Sequence, residues 1–363
     1  MNLESTDDFR SIVLDQRALI DVRASIEYDK GAFPHSINLP LLDDEERRLV
    51  GICYKESGNA AAVELGKKLI NPKTQKERVN SWKSFIQENP DAYIYCFRGG
   101  QRSQISQMWL SELGIDRPRL QGGYKAFRNF LMEESERISK ESRSLILGGR
   151  TGSGKTILLN TFDNAIDLEG LAHHRGSSFG RFVSAQPSQI DFETSLGYKL
   201  IQHEEARHKH LLLEHESHHI GKTYIPKPIF NSLREGQLLI LQTPLEERID
   251  ITFDEYVSQS LLEYKSVYDQ EGERLWFEDA QLGLKRISKR LGSELFIHIQ
   301  SLLEEAYLYQ KSCGELHKHK QWIGLLLSKY YDPMYDYQID KSEIPVVFRG
   351  NAKEIEAYIK AKK

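Results

Sequence analysis

Residues 149–156 read Gly-Arg-Thr-Gly-Ser-Gly-Lys-Thr, and this run sharply limits how the chain around it can fold. Four residues separate Gly149 from the triplet Gly154-Lys155-Thr156. A loop of this pattern wraps its backbone N–H groups around a diphosphate, and it works between a strand and the first turn of a helix. Both flanks fit. Residues 145–147 are Leu-Ile-Leu, and 157–162 follow with a helical, largely apolar pattern. Gly149, Gly152, Ser153 and Gly154 form the cradle, Lys155 neutralises charge on the diphosphate, and Thr156 can place its hydroxyl on Mg²⁺. The motif specifies a diphosphate and leaves the rest of the ligand open.

A second strand–loop–helix unit precedes it. Residues 92–96 (Ala-Tyr-Ile-Tyr-Cys) read as a strand, followed by Phe97-Arg98-Gly99-Gly100-Gln101-Arg102-Ser103. A helix is expected over 103–113, with Ile105, Met108, Trp109 and Leu113 on one face and Gly114 as its cap. Amides of a tight loop at a helix N-terminus form an anion nest, and the same field favours a thiolate over a thiol. Cys96 is therefore read as the reactive cysteine. Gly99 and Gly100 allow positive φ, Arg98 adds charge and Arg102 closes the loop. Cys53 and Cys313 have no such surroundings and read as inert buried residues.

A further strand is expected at 18–22. Strands separated by helical segments in both halves imply α/β architecture. Residues 133–143 are charged and almost without apolar side chains, which places a helix end, a connector and the domain boundary there. The expected domains are 1–135 and 136–363, with the second mostly helical beyond about 245, notably over 246–264 and 275–291. The three cysteines are odd in number and form no close pair, which argues against a disulfide framework or a zinc site and fits a reducing compartment. No apolar run reaches the ~18–20 residues of a membrane span, and the polar N-terminus is no secretory signal. The net charge of −4 counts against a nucleic-acid partner unless basic residues gather on one face. Lys285, Arg286, Lys289 and Arg290 are spaced to do so on a helix.

Three groups complete the candidates. Glu214 or Glu216, in the strand-like stretch 210–216, can hold Mg²⁺ near Thr156. Arg175, Ser177 and Ser178 lie in a glycine- and serine-rich turn that can bind an acceptor, or serve only as a turn. Tyr330, Tyr331 and Tyr335 can stack on bases or fill a core. His203, His208, His210, His215, His218 and His219 lack metal-ligand spacing and read as a solvated polar surface.

The stretch 19–23 (Leu-Ile-Asp-Val-Arg), with Glu27, Tyr28, Gly31, 35–40 (His-Ser-Ile-Asn-Leu-Pro) and 120–124 (Leu-Gln-Gly-Gly-Tyr), resembles the rhodanese family over about 8–130. The common sulfurtransferase loop spaces its cysteine and arginine by four residues. Here five separate Cys96 from Arg102, which makes a wider cradle, sized for a phosphate-like group. Together with 54–58, 149–156, 168–180, 186–189 and 331–335, the chain resembles the tRNA 2-selenouridine synthases over nearly its whole length. That resemblance implies a rhodanese-like domain followed by a P-loop NTPase-like domain with a mostly helical C-terminal part. It implies a cytoplasmic transferase acting on the wobble 2-thiouridine of a tRNA anticodon stem-loop. Geranyl diphosphate and selenophosphate would be co-substrates, Mg²⁺ a possible cofactor, and a selenophosphate-producing enzyme a possible partner. Catalysis would rest on Cys96, Arg102 and Lys155. The alternative is a P-loop ATPase or kinase whose rhodanese domain only senses an anion.

Overall fold

The structure, a computed structural model, describes residues 3–362. Two compact units divide the chain. One takes the sequence up to residue 138 and adds 188–206; the other takes 139–187 and everything from 207 onward. The helix Gln189–Glu205, which follows the glycine-rich phosphate loop in sequence, thus belongs to the first unit. It is anchored there by Arg10, which pairs with Glu204 at 2.9 Å, and by the Ala32 amide, which donates to Asp191 at 2.8 Å. The helix Gly123–Glu141 extends into residues 133–143 and ends there, and the unit boundary falls inside its last turns.

The first unit holds a five-stranded parallel sheet of β1 (Ser5–Thr6), β2 (Leu19–Asp21), β3 (Ser36–Asn38), β4 (Tyr93–Tyr95) and β5 (Arg119–Leu120), in the order β1-β5-β4-β2-β3. Leu19, Ile20 and Ile94 are fully buried, as strands covered on both faces require. Asp21, the last residue of β2, and Arg23 form a buried ion pair, and the Arg23 guanidinium also lies 4.0 Å from the Tyr124 ring centroid. Every charge there has a partner, so the pair reads as structural.

The helix after β4 spans Gln101–Ser111, and its inward face is mixed. Ser103, Ser106, Gln107 and Leu110 are buried, Ile105 and Trp109 pack half-buried against the core, and Met108 and Leu113 are exposed. The reason is hydrogen bonding: Gln107 donates to the carbonyls of Glu4 and Arg117 at 2.7 and 2.8 Å, which an apolar residue would leave unpaired. Cys53 is half-buried on the long helix Asp44–Leu69, and Cys313 is exposed at the end of the helix Ser293–Cys313. Neither is the buried residue expected.

The second unit is built on β6 (Ser144–Gly149), β7 (Ala165–Ile166), β8 (Leu211–Glu214), β11 (Gln237–Leu241) and β12 (Val346–Gly350), all parallel, in the order β12-β11-β6-β8-β7. A short hairpin of β9 (His219–Ile220) and β10 (Thr223–Tyr224) lies outside this sheet. From Leu245 to Asp340 the chain is helical around a separate core that includes Trp276, Leu303 and Trp322. The chain then returns to add β12 at the sheet edge, a strand with no counterpart in the sequence reading. Among the described residues no helix is long and apolar enough to cross a membrane.

Candidate functional site

The first unit presents the cysteine loop at the end of β4. Cys96 is 3% exposed, and its Sγ lies 3.2 Å from the Ser103 hydroxyl. The loop is held from behind by the turn at Gly122 and Gly123: the amides of Tyr124 and Lys125 donate to the carbonyls of Cys96 and Phe97. Gly123 has φ +60°, and a Cβ there would lie 2.2 Å from the Cys96 carbonyl oxygen and 2.3 Å from the Gly99 nitrogen. Only glycine permits so close an approach. Gly99 takes positive φ (63°), as expected. Gly100 does not; it has φ −92° and serves as the helix N-cap. Arg102 is oriented by Glu27, which accepts from both its terminal nitrogens. That contact holds Glu27 below the usual carboxylate range despite burial, which pushes the other way. Arg98 is exposed on the outer side of the loop, near the Phe97 ring.

The second unit carries the phosphate loop between β6 and the helix Lys155–Leu159. Gly152 and Gly154 are left-handed, with φ +74° and +78°. At Gly152 a Cβ would meet the Thr252 hydroxyl at 2.2 Å. The loop is braced by Arg248, 2% exposed, which donates from Nε to the Thr151 carbonyl at 2.9 Å and from its other nitrogens to both oxygens of Asp332. Lys155 reaches back to the Gly149 carbonyl at 3.3 Å.

Thr156 donates to Glu214 at 2.5 Å, which brings the predicted strand acid to the loop. Glu216 joins it, and so does Glu169, a residue the sequence reading missed. One oxygen of each of the three carboxylates lies within 4.8 Å of those of the others. Burial raises the proton affinity of all three, and in Glu169 and Glu214 mutual repulsion adds to it. Glu214 is 3% exposed, and its second oxygen has no partner. A set of hard oxygen donors, one buried and two half-buried, beside a hydroxyl is what Mg²⁺ takes, so the residues fit that ion.

These groups open into a cavity of about 610 Å³. Arg175 and Ser177 line it; Ser178 is not among its lining residues. Arg175 donates to Glu263 at 3.1 Å and lies 3.8 Å from the Phe182 ring centroid, with one buried guanidinium nitrogen unpartnered. Ser177 and Tyr256 share a hydrogen bond of 3.0 Å. The apolar wall includes Ile146, Leu213, Ile225, Phe230, Leu233 and Ile344. Tyr330 and Tyr331 are buried, and Tyr331 and Tyr335 line the cavity.

The histidines are not a uniformly solvated surface. His203 is buried on Gln189–Glu205, and His215 lines the cavity with its pKa pushed down to about 4, by burial first and then by Lys155 and Arg234. Lys285, Arg286, Lys289 and Arg290 are exposed on the helix Gly272–Leu291, and Arg286 donates to the Ser178 carbonyl at 2.6 Å.

Comparison with known proteins gives a consistent match. Residues 142–363 match a family described as "tRNA 2-selenouridine synthase AAA domain", and residues 5–130 match "Rhodanese-like domain". A tRNA 2-selenouridine synthase of Sulfurovum sp. (strain NBC37-1) is 53% identical over 99% of this chain and 98% of its own length. One from Hydrogenovibrio crunogenus is 46% identical, covering 98% of each chain. One from Shewanella piezotolerans is 43% identical over 97% of this chain and 96% of its own.

Proposed function

The chain belongs to the tRNA 2-selenouridine synthase family, and on that premise we propose that it replaces the sulfur of a wobble 2-thiouridine in tRNA by selenium, in two steps. Geranyl diphosphate first alkylates the sulfur, and selenium delivered as selenophosphate then displaces the resulting thioether. The observation that carries this reading is the cavity of the second unit. It joins a diphosphate-binding loop to a wall of aliphatic and aromatic side chains, as a prenyl diphosphate requires at its two ends.

Within that cavity the amides of 149–156 and Lys155 stabilise charge as the diphosphate departs. Thr156, Glu169, Glu214 and Glu216 would hold Mg²⁺, which supplies further neutralisation of the leaving group. Arg175 and Ser177 would position the acceptor. In the first unit Cys96, with Arg98, Gly99, Gly100 and Arg102, would take the selenophosphate, whose anionic end suits the wide loop and whose selenium is soft, like the cysteine sulfur. We place this chemistry in the cytoplasm, with a selenophosphate-producing enzyme as supplier.

The test is nucleoside analysis of 2-thiouridine tRNA incubated with the protein, geranyl diphosphate and Mg²⁺, with and without selenophosphate, and with no ATP. S-geranylated nucleoside should form without selenophosphate and 2-selenouridine with it. Lys155→Ala should stop both; Cys96→Ala should stop only the selenium step. A strict ATP requirement, or ATP turnover stimulated by tRNA, would instead favour an ATPase with an anion-sensing partner domain.

A further inference from the structure

Sulfur in 2-thiouridine is a thiocarbonyl flanked by N3–H. Alkylating it leaves a neutral product only if that proton departs, so the geranyl transfer needs a proton acceptor in the cavity. Six carboxylates line it: Asp167, Glu169, Glu214, Glu216, Glu255 and Glu263. Five are engaged. Asp167 caps the helix Leu168–Ala172 by accepting from the Gly170 amide at 2.6 Å. Glu263 accepts from Arg175. Glu169, Glu214 and Glu216 form the oxygen cluster beside Thr156. Glu255 alone makes no hydrogen bond or ion pair among the described residues.

Its placement is unusual. Glu255 sits in a π-helical turn, Asp254–Gln259, between the helices Leu245–Phe253 and Ser260–Tyr268. A π turn carries an extra residue, redirects the side chains it holds and recurs at functional sites. Here Glu255, Tyr256 and Gln259 all face the cavity. The charged groups that act on Glu255 are Arg175, Lys155 and its neighbour Asp254. It lines the same cavity as Arg175 of the acceptor side and Lys155 of the diphosphate side, the space in which the sulfur must meet the geranyl carbon. Burial raises its proton affinity above the ordinary carboxylate value and the two cations hold it back.

On the reading given above, we propose that Glu255 is the proton acceptor that converts the 2-thiouridine sulfur into a nucleophilic thiolate for geranyl transfer. The N3–H proton passes to the Glu255 carboxylate, and its electron pair forms the N3=C2 bond as charge moves to sulfur. Sulfur then bonds to the first carbon of the geranyl chain, the carbon–oxygen bond to diphosphate breaks, and that electron pair leaves on the diphosphate held by Lys155. Atoms and charge balance with no oxidant or reductant.

The experiment is single-turnover geranylation of 2-thiouridine tRNA by the full chain and by Glu255→Gln, from pH 6 to 9, with geranyl diphosphate affinity measured alongside. General-base catalysis contributes roughly 10²–10⁴-fold, so Glu255→Gln should be at least about 100-fold slower at pH 7. The deficit should shrink about tenfold per pH unit as hydroxide takes over proton removal, with affinity for geranyl diphosphate unchanged. Glu255→Asp should recover part of the rate. A deficit constant across pH, a loss explained by weaker geranyl diphosphate binding, or a wild-type rate in Glu255→Gln would each overturn the proposal. A wild-type protein that forms no S-geranylated nucleoside would overturn the two-step reading itself, and the proposal with it.

Discussion

Gly123→Ala separates the positioning of the cysteine loop from its chemistry, because Gly123 contributes no side chain to any reaction. An alanine there must adopt φ +60°, a left-handed conformation that costs an L-residue about 1–2 kcal/mol. Its Cβ would also fall 2.2 Å from the Cys96 carbonyl and 2.3 Å from the Gly99 nitrogen. Ordinary contact is reached only if the loop recedes by roughly 1 Å, and overpacking of this kind adds about 1–3 kcal/mol. Total destabilisation should be about 2–5 kcal/mol. A misplacement of ~1 Å at a reacting group costs on the order of 10² in rate, so selenium incorporation should fall by about that factor while geranylation in the second unit continues. Gly122→Ala is the matched control. It has nearly the same backbone strain, φ +71°, but its Cβ would meet the Ala126 methyl at 2.5 Å rather than the loop. The assays are urea denaturation and nucleoside analysis of both products for each variant. If folded Gly123→Ala makes 2-selenouridine at the wild-type rate, the turn does not set the loop. If the two variants lose selenium incorporation equally, strain and not loop displacement is responsible.

Two further outcomes follow from the second unit. Arg181 and Arg286 are exposed cations with no ion pair among the described residues, near enough to His174 to depress its pKa together with Arg175, after burial. Replacing both with Glu should weaken tRNA binding and lower the slope of log affinity against log salt by about 2, at roughly 0.9 per phosphate contact; an unchanged slope in filter binding would mean they face no phosphate. His319 is fully buried, accepting from Trp322 at 2.9 Å, and burial lowers its pKa to about 4. The unfolded chain takes up this proton near pH 6.5 and the folded one only near 4, so stability is full above that window and should drop by about 3 kcal/mol as pH falls through it. His215, also lowered to about 4, gives a similar drop in both proteins, so urea midpoints should fall less steeply with pH in His319→Gln than in the wild type; parallel curves would refute it.

What was legible in the sequence divides along a physical line. The phosphate loop and the Cys96 loop are local devices: one continuous run supplies strand, glycine turn and helix start, so the residues that bind an anion are neighbours in the chain. Glu214 was within reach for the same reason, since it ends a strand that reads as one. The burial of Gln107 on the helix Gln101–Ser111 was not, because it rests on the carbonyls of Glu4 and Arg117, which hydrophobic spacing does not register. Nor was Arg248, which looks like any charged helix residue in Glu246-Glu247-Arg248 until Asp332, 84 residues away, is seen to neutralise it. Glu169 sits in the ordinary-looking stretch Asp167-Leu168-Glu169, and what sets it apart is two acids from β8 and the residues after it. Glu255 is harder still, since the π turn that aims it at the cavity has no sequence signature of comparable strength. Anion binding by backbone amides is thus written in consecutive residues, whereas proton transfer depends on the burial and charge that distant segments impose on one carboxyl. A site that must do both shows its first half in the sequence and its second half only in the fold.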